Sequence, residues 1–405
     1  MSVNAVNFRS WPKGLKLLTL AQVGSRFGDS FTEIALVLLI MHSTKHPYIA
    51  MGVVLSMVSL PQLITGWLTV AVINRYNPRY LLLGSDIIRG ILVVLLPFLP
   101  MPTVVSGAVF TIYSLNTLSH PLQQHYQRVL AQTDELTMQS SGWRNKWAHL
   151  MALAAYVLVV PLIHLVGYWA AFLIDALSFF FSAFVIWKLS VVSLRQTTPK
   201  DLSPWTILKS TLRKIFHQES LTKLLWMSVS TFMLISAANT ILDPSVRNLW
   251  HHNSSMYAWI VIAITIGQST GSWAMEHYGM RIKTTMGIAI GSTLTGIGFI
   301  VAAHIQYMDG ILLLLALTGA GNALFAISAG VAFQNRTADN DRPQILATRS
   351  FLSGATGALG SIAAGYGLRW IGPAMVMTLV GVFALIIAGT SLTIYNLRLK
   401  ETMGS

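Results

Sequence analysis

Apolar residues in this chain come in long unbroken stretches rather than in stripes. They fall at roughly 15–41, 47–73, 80–99, 103–127, 145–166, 168–190, 222–245, 254–275, 284–304, 310–333, 346–369 and 372–396. Each is about the length that carries an α-helix across the hydrocarbon core of a bilayer, some twenty residues. Barrel strands would show instead as alternating segments of about ten residues. In lipid every backbone polar group has to be satisfied internally, so stretches of this length predict about twelve transmembrane helices. The connections are short except for 191–221, which is polar, basic and contains Pro204. The expected fold is therefore an all-α membrane protein. An N-terminal six-helix bundle covers 1–190, a cytoplasmic linker 191–221, and a C-terminal six-helix bundle 222–405.

Composition agrees with lipid as the main solvent. Only 10% of the 405 residues are charged, 54% are hydrophobic, and the mean hydropathy is +0.60. A soluble chain carries roughly a quarter charged residues. The first apolar stretch is not a cleavable signal, because it is too long, contains Arg26, Asp29 and Glu33, and lacks a small-residue cleavage site. With no cysteine in the chain, disulfides, thiolate metal sites, haem attachment and cysteine catalysis are excluded.

The formal charge of +13 changes meaning once it is placed on the loops. With the N-terminus inside, 22 of the 27 Lys and Arg fall in cytoplasmic segments, while Lys45, Arg247 and Arg369 fall outside and Arg26 and Arg89 lie within spans. That bias predicts both termini in the cytoplasm of a cell-membrane, multi-pass protein. The positive charge then faces anionic lipid, and nucleic-acid binding is not needed to explain it.

Internal repetition supports two halves. Gly66 and the turn Asn74-Arg75-Tyr76-Asn77-Pro78-Arg79 follow the second span; Gly267, Gly271 and Glu276-His277-Tyr278-Gly279-Met280-Arg281 follow the eighth. Gln127-Arg128 after the fourth span matches Gln334-Asn335-Arg336 after the tenth. Such duplication is expected of many transporters.

Several segments together resemble the major facilitator superfamily, and within it the drug, macrolide and enterobactin exporter branch. Gly28-Asp29 sits in the first span, and Gly66 to Gly90 reads GWLTVAVINRYNPRYLLLGSDIIRG. Ile174-Asp175-Ala176-Leu177-Ser178-Phe179 opens the sixth span, and Gln334 to Gly372 has a polar-Arg turn, a glycine-rich eleventh span and a final Gly-Pro. The resemblance implies a bacterial inner-membrane secondary transporter that exports a drug, macrolide, siderophore or metallophore-like molecule. It would act by proton-coupled alternating access, as a monomer without a cofactor. It also implies gating roles for Gly66, Asn74, Arg75, Arg79, Asp86 and Arg89. Asn74 departs from the acidic residue usual there, Pro78 and Tyr80 dilute the basic run, and Arg26 and Glu33 make the first span richer in charge.

A charge at mid-bilayer costs at least about 2.5–3.5 kcal/mol, so it faces a cavity or a partner. Arg26, Asp29 and Glu33 are three and four residues apart and share one helix face. One reading makes Asp29 or Glu33 the proton carrier, with Arg26 tuning it or meeting an anionic cargo; the other is an ion pair that fixes helix packing. Asp86 and Arg89 are again three apart and fit gating better than cargo contact. Asp175 beside Ser178 is read as a packing acceptor or a functional group. Asp243, next to Pro244, is a candidate for coupling or the outward gate, since a proline frees carbonyls and permits a bend. Asn116, His120 and Gln123 share a face and suit a polar cavity wall, with Asn239 and Gln268 as further substrate-binding candidates. Asn322, among Gly319, Gly321 and Gly330, is read as close helix packing.

No Gly-x-x-x-x-Gly-Lys loop is present to let ATP drive transport from within the chain. His251-His252 has no acidic neighbours to complete a metal site. The alternatives are a ferroportin-like metal-ion exporter, suggested by Gly28-Asp29, a lipid-active membrane enzyme, or a non-transporting receptor.

Overall fold

A computed structural model describes residues 8–43, 46–63, 78–99, 102–189, 204–253, 255–278, 284–335 and 342–403. Among these residues the regular structure is helical, with no strand. The helices are α1 (Lys13–Ser43), α2 (Pro47–Ser59), α3 (Pro78–Leu95), α4 (Pro102–Ala131), α5 (Asp134–Val166), α6 (Tyr168–Lys188) and α7 (Pro204–His217). They continue as α8 (Glu219–Asn248), α9 (Ser255–Tyr278), α10 (Thr284–Ala302), α11 (Met308–Asn335), α12 (Arg342–Trp370) and α13 (Gly372–Met403).

Among the described residues seven segments, in α3, α5, α6, α8, α10, α11 and α13, are long and apolar enough to cross a membrane. Their outward faces carry large apolar side chains such as Leu158, Phe181, Leu313 and Ile386, all exposed. In water such a surface would aggregate; against lipid tails it is matched. Of the remaining helices, α1, α4, α9 and α12 are as long but carry polar and charged groups along their length. Among them, Arg26, Asp29 and Glu33 of α1, Asn116 of α4 and Gln268 of α9 line cavities.

The helices pack into two compact units. One contains α1 and α3–α6, with α6 lying against both α1 and α3. The other contains α2 and α7–α13, with α8 on α12, α11 on α9 and α10, and α2 on α12. The α2–α12 contact is close enough to need glycine on both sides. A Cβ on Gly52 would sit 2.7 Å from Ser361 O and 3.1 Å from Gly365 Cα. Serine hydroxyls in this unit are turned to backbone, as where Ser361 Oγ donates to Ser236 O at 3.3 Å.

α7 lies inside the stretch expected to be a linker. Pro204 supplies a pre-set first turn, and Leu208 and Ile215, seven residues apart, bury one face while Lys209, Arg213 and Lys214 stay exposed. Its apolar residues are too few to register as a span, which is why hydropathy alone passes over it.

Candidate functional site

The charged face of α1 organises the first unit. Arg26 Nη1 donates to Glu33 Oε1 at 2.6 Å, two helical turns away. Tyr156 of α5 donates its hydroxyl to the other oxygen, Glu33 Oε2, also at 2.6 Å. Glu33 is therefore held at both oxygens. Asp29, between them in sequence, makes no hydrogen bond to a described residue and senses Arg26 and Arg89 through space.

On α3, Arg89 and Asp86 form an ion pair with their side chains 4% and 0% accessible. Arg89 Nη1 reaches Asn116 Oδ1 on α4 at 3.2 Å, and its guanidinium carbon lies 4.4 Å over the Phe179 ring, a cation–π contact. Asp175 on α6 is buried and accepts from Ser178 Oγ at 3.4 Å. Gly28 makes this approach possible: a Cβ there would stand 2.6 Å from Asp175 Oδ1 and 2.9 Å from Asp175 Cα. Gly28-Asp29 thus works as a pair, the glycine admitting one carboxyl of α6 and the next residue supplying another.

Arg26, Asp29, Glu33, Arg89, Asn116 and Asp175 line a cavity of about 60 Å³ between α1, α3, α4 and α6, with Asp86 paired to Arg89 behind its wall. One water needs on the order of 15 Å³ of such space, so a few waters fit. Around it stand four carboxyl groups (Asp29, Glu33, Asp86, Asp175) and two guanidinium groups (Arg26, Arg89). The two ion pairs account for Glu33 and Asp86. Asp29 and Asp175 remain, and leaving both ionised would put two uncompensated negative charges in a low-dielectric interior, which is costly. The arrangement can take up and release a proton.

The second unit holds a larger cavity of about 130 Å³, within α8, α9, α10, α11 and α13. Asn239, Gln268 and Asn322 line it, with hydroxyls from Thr231, Thr295 and Thr318 and rings from Phe299 and Phe325. None of its lining residues is charged.

The expected site residues thus fall into several places. Arg26, Asp29, Glu33, Asp86, Arg89 and Asn116 come together around the first cavity, so groups assigned to coupling, cargo and gating share one network. His120 lies one turn beyond Asn116, its Nδ1 3.5 Å from Gln124 Nε2, and neither it nor Gln123 lines that cavity. Asn239 and Gln268 meet in the second cavity. Asp243 is buried, with Arg247 Nε 3.1 Å from its Oδ2, and lines neither cavity. Arg79 donates to Trp187 O at the C-terminal end of α6, where a cation meets orphan carbonyls. Gly66, Asn74 and Arg75 lie outside the described residues.

Sequence reasoning missed Tyr113, Thr32 and Tyr156, and took Asn322 for packing. Tyr113 could have been found, three residues before Asn116 on the same helix face. Tyr156 could not, because its partner is 123 residues away.

No protein-family model matches this chain, and no curated protein matches it. Solved structures do. The nucleoside transporter NupG aligns with a TM-score of 0.79 at 12% identity, over 95% of this chain and 99% of that one. An auto-inhibited POT family peptide transporter aligns with a TM-score of 0.74 at 13% identity, over 94% and 96%. A POT family transporter in complex with 5-aminolevulinic acid gives 0.75 at 13%, also over 94% and 96%. The likeness is one of fold. The chain shares the fold of these transporters, and its long apolar helices make it a multi-pass membrane protein.

Proposed function

We propose that the chain is a secondary active transporter that exports a small molecule by proton-coupled alternating access. On this reading twelve spans form two six-helix halves, both termini are cytoplasmic, and the protein works as a monomer. The observation that carries it is the surplus of carboxyl over guanidinium groups around the first cavity. Asp29 is the proton carrier, because no hydrogen bond ties it down, while Arg26 and Tyr156 clamp Glu33. The Arg26 and Glu33 side chains are 41% and 34% accessible, so this end of the cluster is open to water and gives the proton a route. Asp86 and Arg89 hold the far wall and pass changes at Asp29 to α3, α4 and α6. Export, rather than uptake, is favoured by the resemblance of Gly66 to Gly90 and Gln334 to Gly372 to the exporter branch. The nucleoside and peptide transporters of the same fold support transport itself.

The test is flux through the full chain in proteoliposomes, with ethidium, erythromycin and a catecholate siderophore as trial cargoes and an entrapped pH-sensitive dye. Cargo movement should follow an imposed pH gradient, stop with a protonophore, and lose its gradient dependence in Asp29→Asn. Flux indifferent to the gradient, or undiminished in that variant, would defeat proton coupling.

A further inference from the structure

The second cavity carries information about cargo. Asn239 comes from α8, Gln268 from α9 and Asn322 from α11, and all three carboxamides border the same 130 Å³ space. None of the three makes a hydrogen bond to a described residue. Asn239 is exposed and Gln268 and Asn322 are half-buried, so their amides are open to pair with water or a ligand. The neighbouring hydroxyls are committed differently. Thr231 Oγ1 donates to Met227 O at 2.9 Å, Thr295 Oγ1 to Gly291 O at 2.9 Å, and Thr318 Oγ1 to Leu314 O at 3.0 Å. With their protons used within their own helices, they face the cavity as acceptors only.

The wall therefore offers donors from three carboxamides, acceptors from the same three and from hydroxyl lone pairs, and no charge to balance an ion. A carboxylate or an ammonium entering here would lose its hydration without a counter-charge. An uncharged group carrying N–H and C=O side by side would pair with a carboxamide edge through two parallel hydrogen bonds, as Asn and Gln do with planar base edges. The remaining wall, from Leu234, Ile264, Phe299 and Phe325, is apolar. It suits the faces of a flat ring and would leave the hydroxyls of a sugar unpaired.

We infer that the second-unit cavity is a binding subsite for an uncharged planar amide, such as a lactam, imide or ureido ring, held by Asn239, Gln268 and Asn322. This deepens the transport reading and rests on it: the cargo presents a neutral heterocyclic amide to this unit, while charge is handled in the other.

Uracil, benzoate and benzylamine are rings of similar size that differ in charge, and they serve as probes. Saturation-transfer NMR titrations on the full chain in detergent should show saturable uracil binding, with a Kd of roughly millimolar as befits a fragment of this size. Benzoate and benzylamine should neither bind the site nor displace uracil. Asn322→Leu and Gln268→Leu should each weaken uracil about tenfold, whereas Leu313→Ala on the lipid-facing side of α11 should leave it unchanged. Asn322→Asp should lose uracil and gain benzylamine, an exchange that misfolding cannot produce. Uracil binding indifferent to these substitutions, or charged probes binding as well as uracil, would overturn the inference. Proton flux in proteoliposomes reports on the transport reading separately. Asp29-dependent flux with no uracil binding sinks this inference alone, and uracil binding without flux sinks the transport reading and the cargo role with it.

Discussion

Two ion pairs of the same chemistry bound one cavity, and burial should make them behave oppositely when broken. Asp86–Arg89 has side chains 0% and 4% accessible. Arg89→Ala removes its partner, the bond to Asn116 and the stacking on Phe179, and strands a carboxylate inside protein. Breaking a buried pair on one side costs about 3–5 kcal/mol. Arg26–Glu33 has side chains 41% and 34% accessible, and water replaces much of what Arg26→Ala removes, so the cost is about 0–1 kcal/mol. Thermal unfolding of the purified chain, followed by intrinsic tryptophan fluorescence, measures both. Arg89→Ala should lower Tm by at least about 5 °C and Arg26→Ala by about 2 °C or less, on the scaling for large domains. Asp86→Asn added to Arg89→Ala should recover much of the loss, because the stranded charge is then gone, with a coupling energy of about 2–3 kcal/mol. Equal effects from the two arginines, or no recovery in the double variant, would refute the argument from burial.

Other consequences are local. Gly28→Ala drives a methyl to 2.6 Å from Asp175 Oδ1 and 2.9 Å from its backbone, and should cost about 1–3 kcal/mol by thermal unfolding and abolish gradient-driven flux. Gly52→Ala meets Ser361 O at 2.7 Å across the α2–α12 contact and should be destabilising by a similar amount, about 1–3 kcal/mol. Thr133 caps α5 by accepting from Leu136 N at 3.2 Å, so Thr133→Ala should cost about 1 kcal/mol while leaving flux per folded molecule unchanged.

What the sequence made legible follows from what hydropathy and helical spacing can see. Long apolar runs placed α3, α5, α6, α8, α10, α11 and α13, since lipid-facing helices must be apolar around most of their girth. The charges of α1 were readable as one face because Arg26, Asp29 and Glu33 are separated by about one turn each. Asp86–Arg89 was legible for the same reason. Periodicity is blind to what lies opposite such a face. That Tyr156 caps Glu33, that Asn116 bonds Arg89, and that Asp175 stands against Gly28 are contacts across tertiary distance, set by how α1, α3, α4, α5 and α6 pack. Asn322 was misjudged by its company. Its glycine neighbours do serve packing, as where a Cβ on Gly321 would stand 2.6 Å from Gly291 O, but Asn322 itself lines a cavity.

Asp29 and Glu33 are four residues apart on one helix, yet their surroundings assign them different work, and the difference can be measured. Protonating Glu33 would cost the bond from Arg26 and weaken the one from Tyr156, each 2.6 Å long. Glu33 thus has a donor on each carboxylate oxygen, and both fix it in place. Protonating Asp29 breaks nothing among the described residues. A proton cycling once per transport event should therefore use Asp29, with Glu33 keeping Arg26 in place. Asp29→Asn should abolish gradient-driven flux while sparing cargo exchange across membranes without a pH gradient, since exchange needs no net proton movement. Glu33→Gln keeps the carrier but loosens Arg26, so both modes should fall together and only in part. The reverse pattern, with exchange intact and driven flux lost in Glu33→Gln but both retained in Asp29→Asn, would make Glu33 the carrier and show that the hydrogen-bond clamp does not decide which carboxyl cycles.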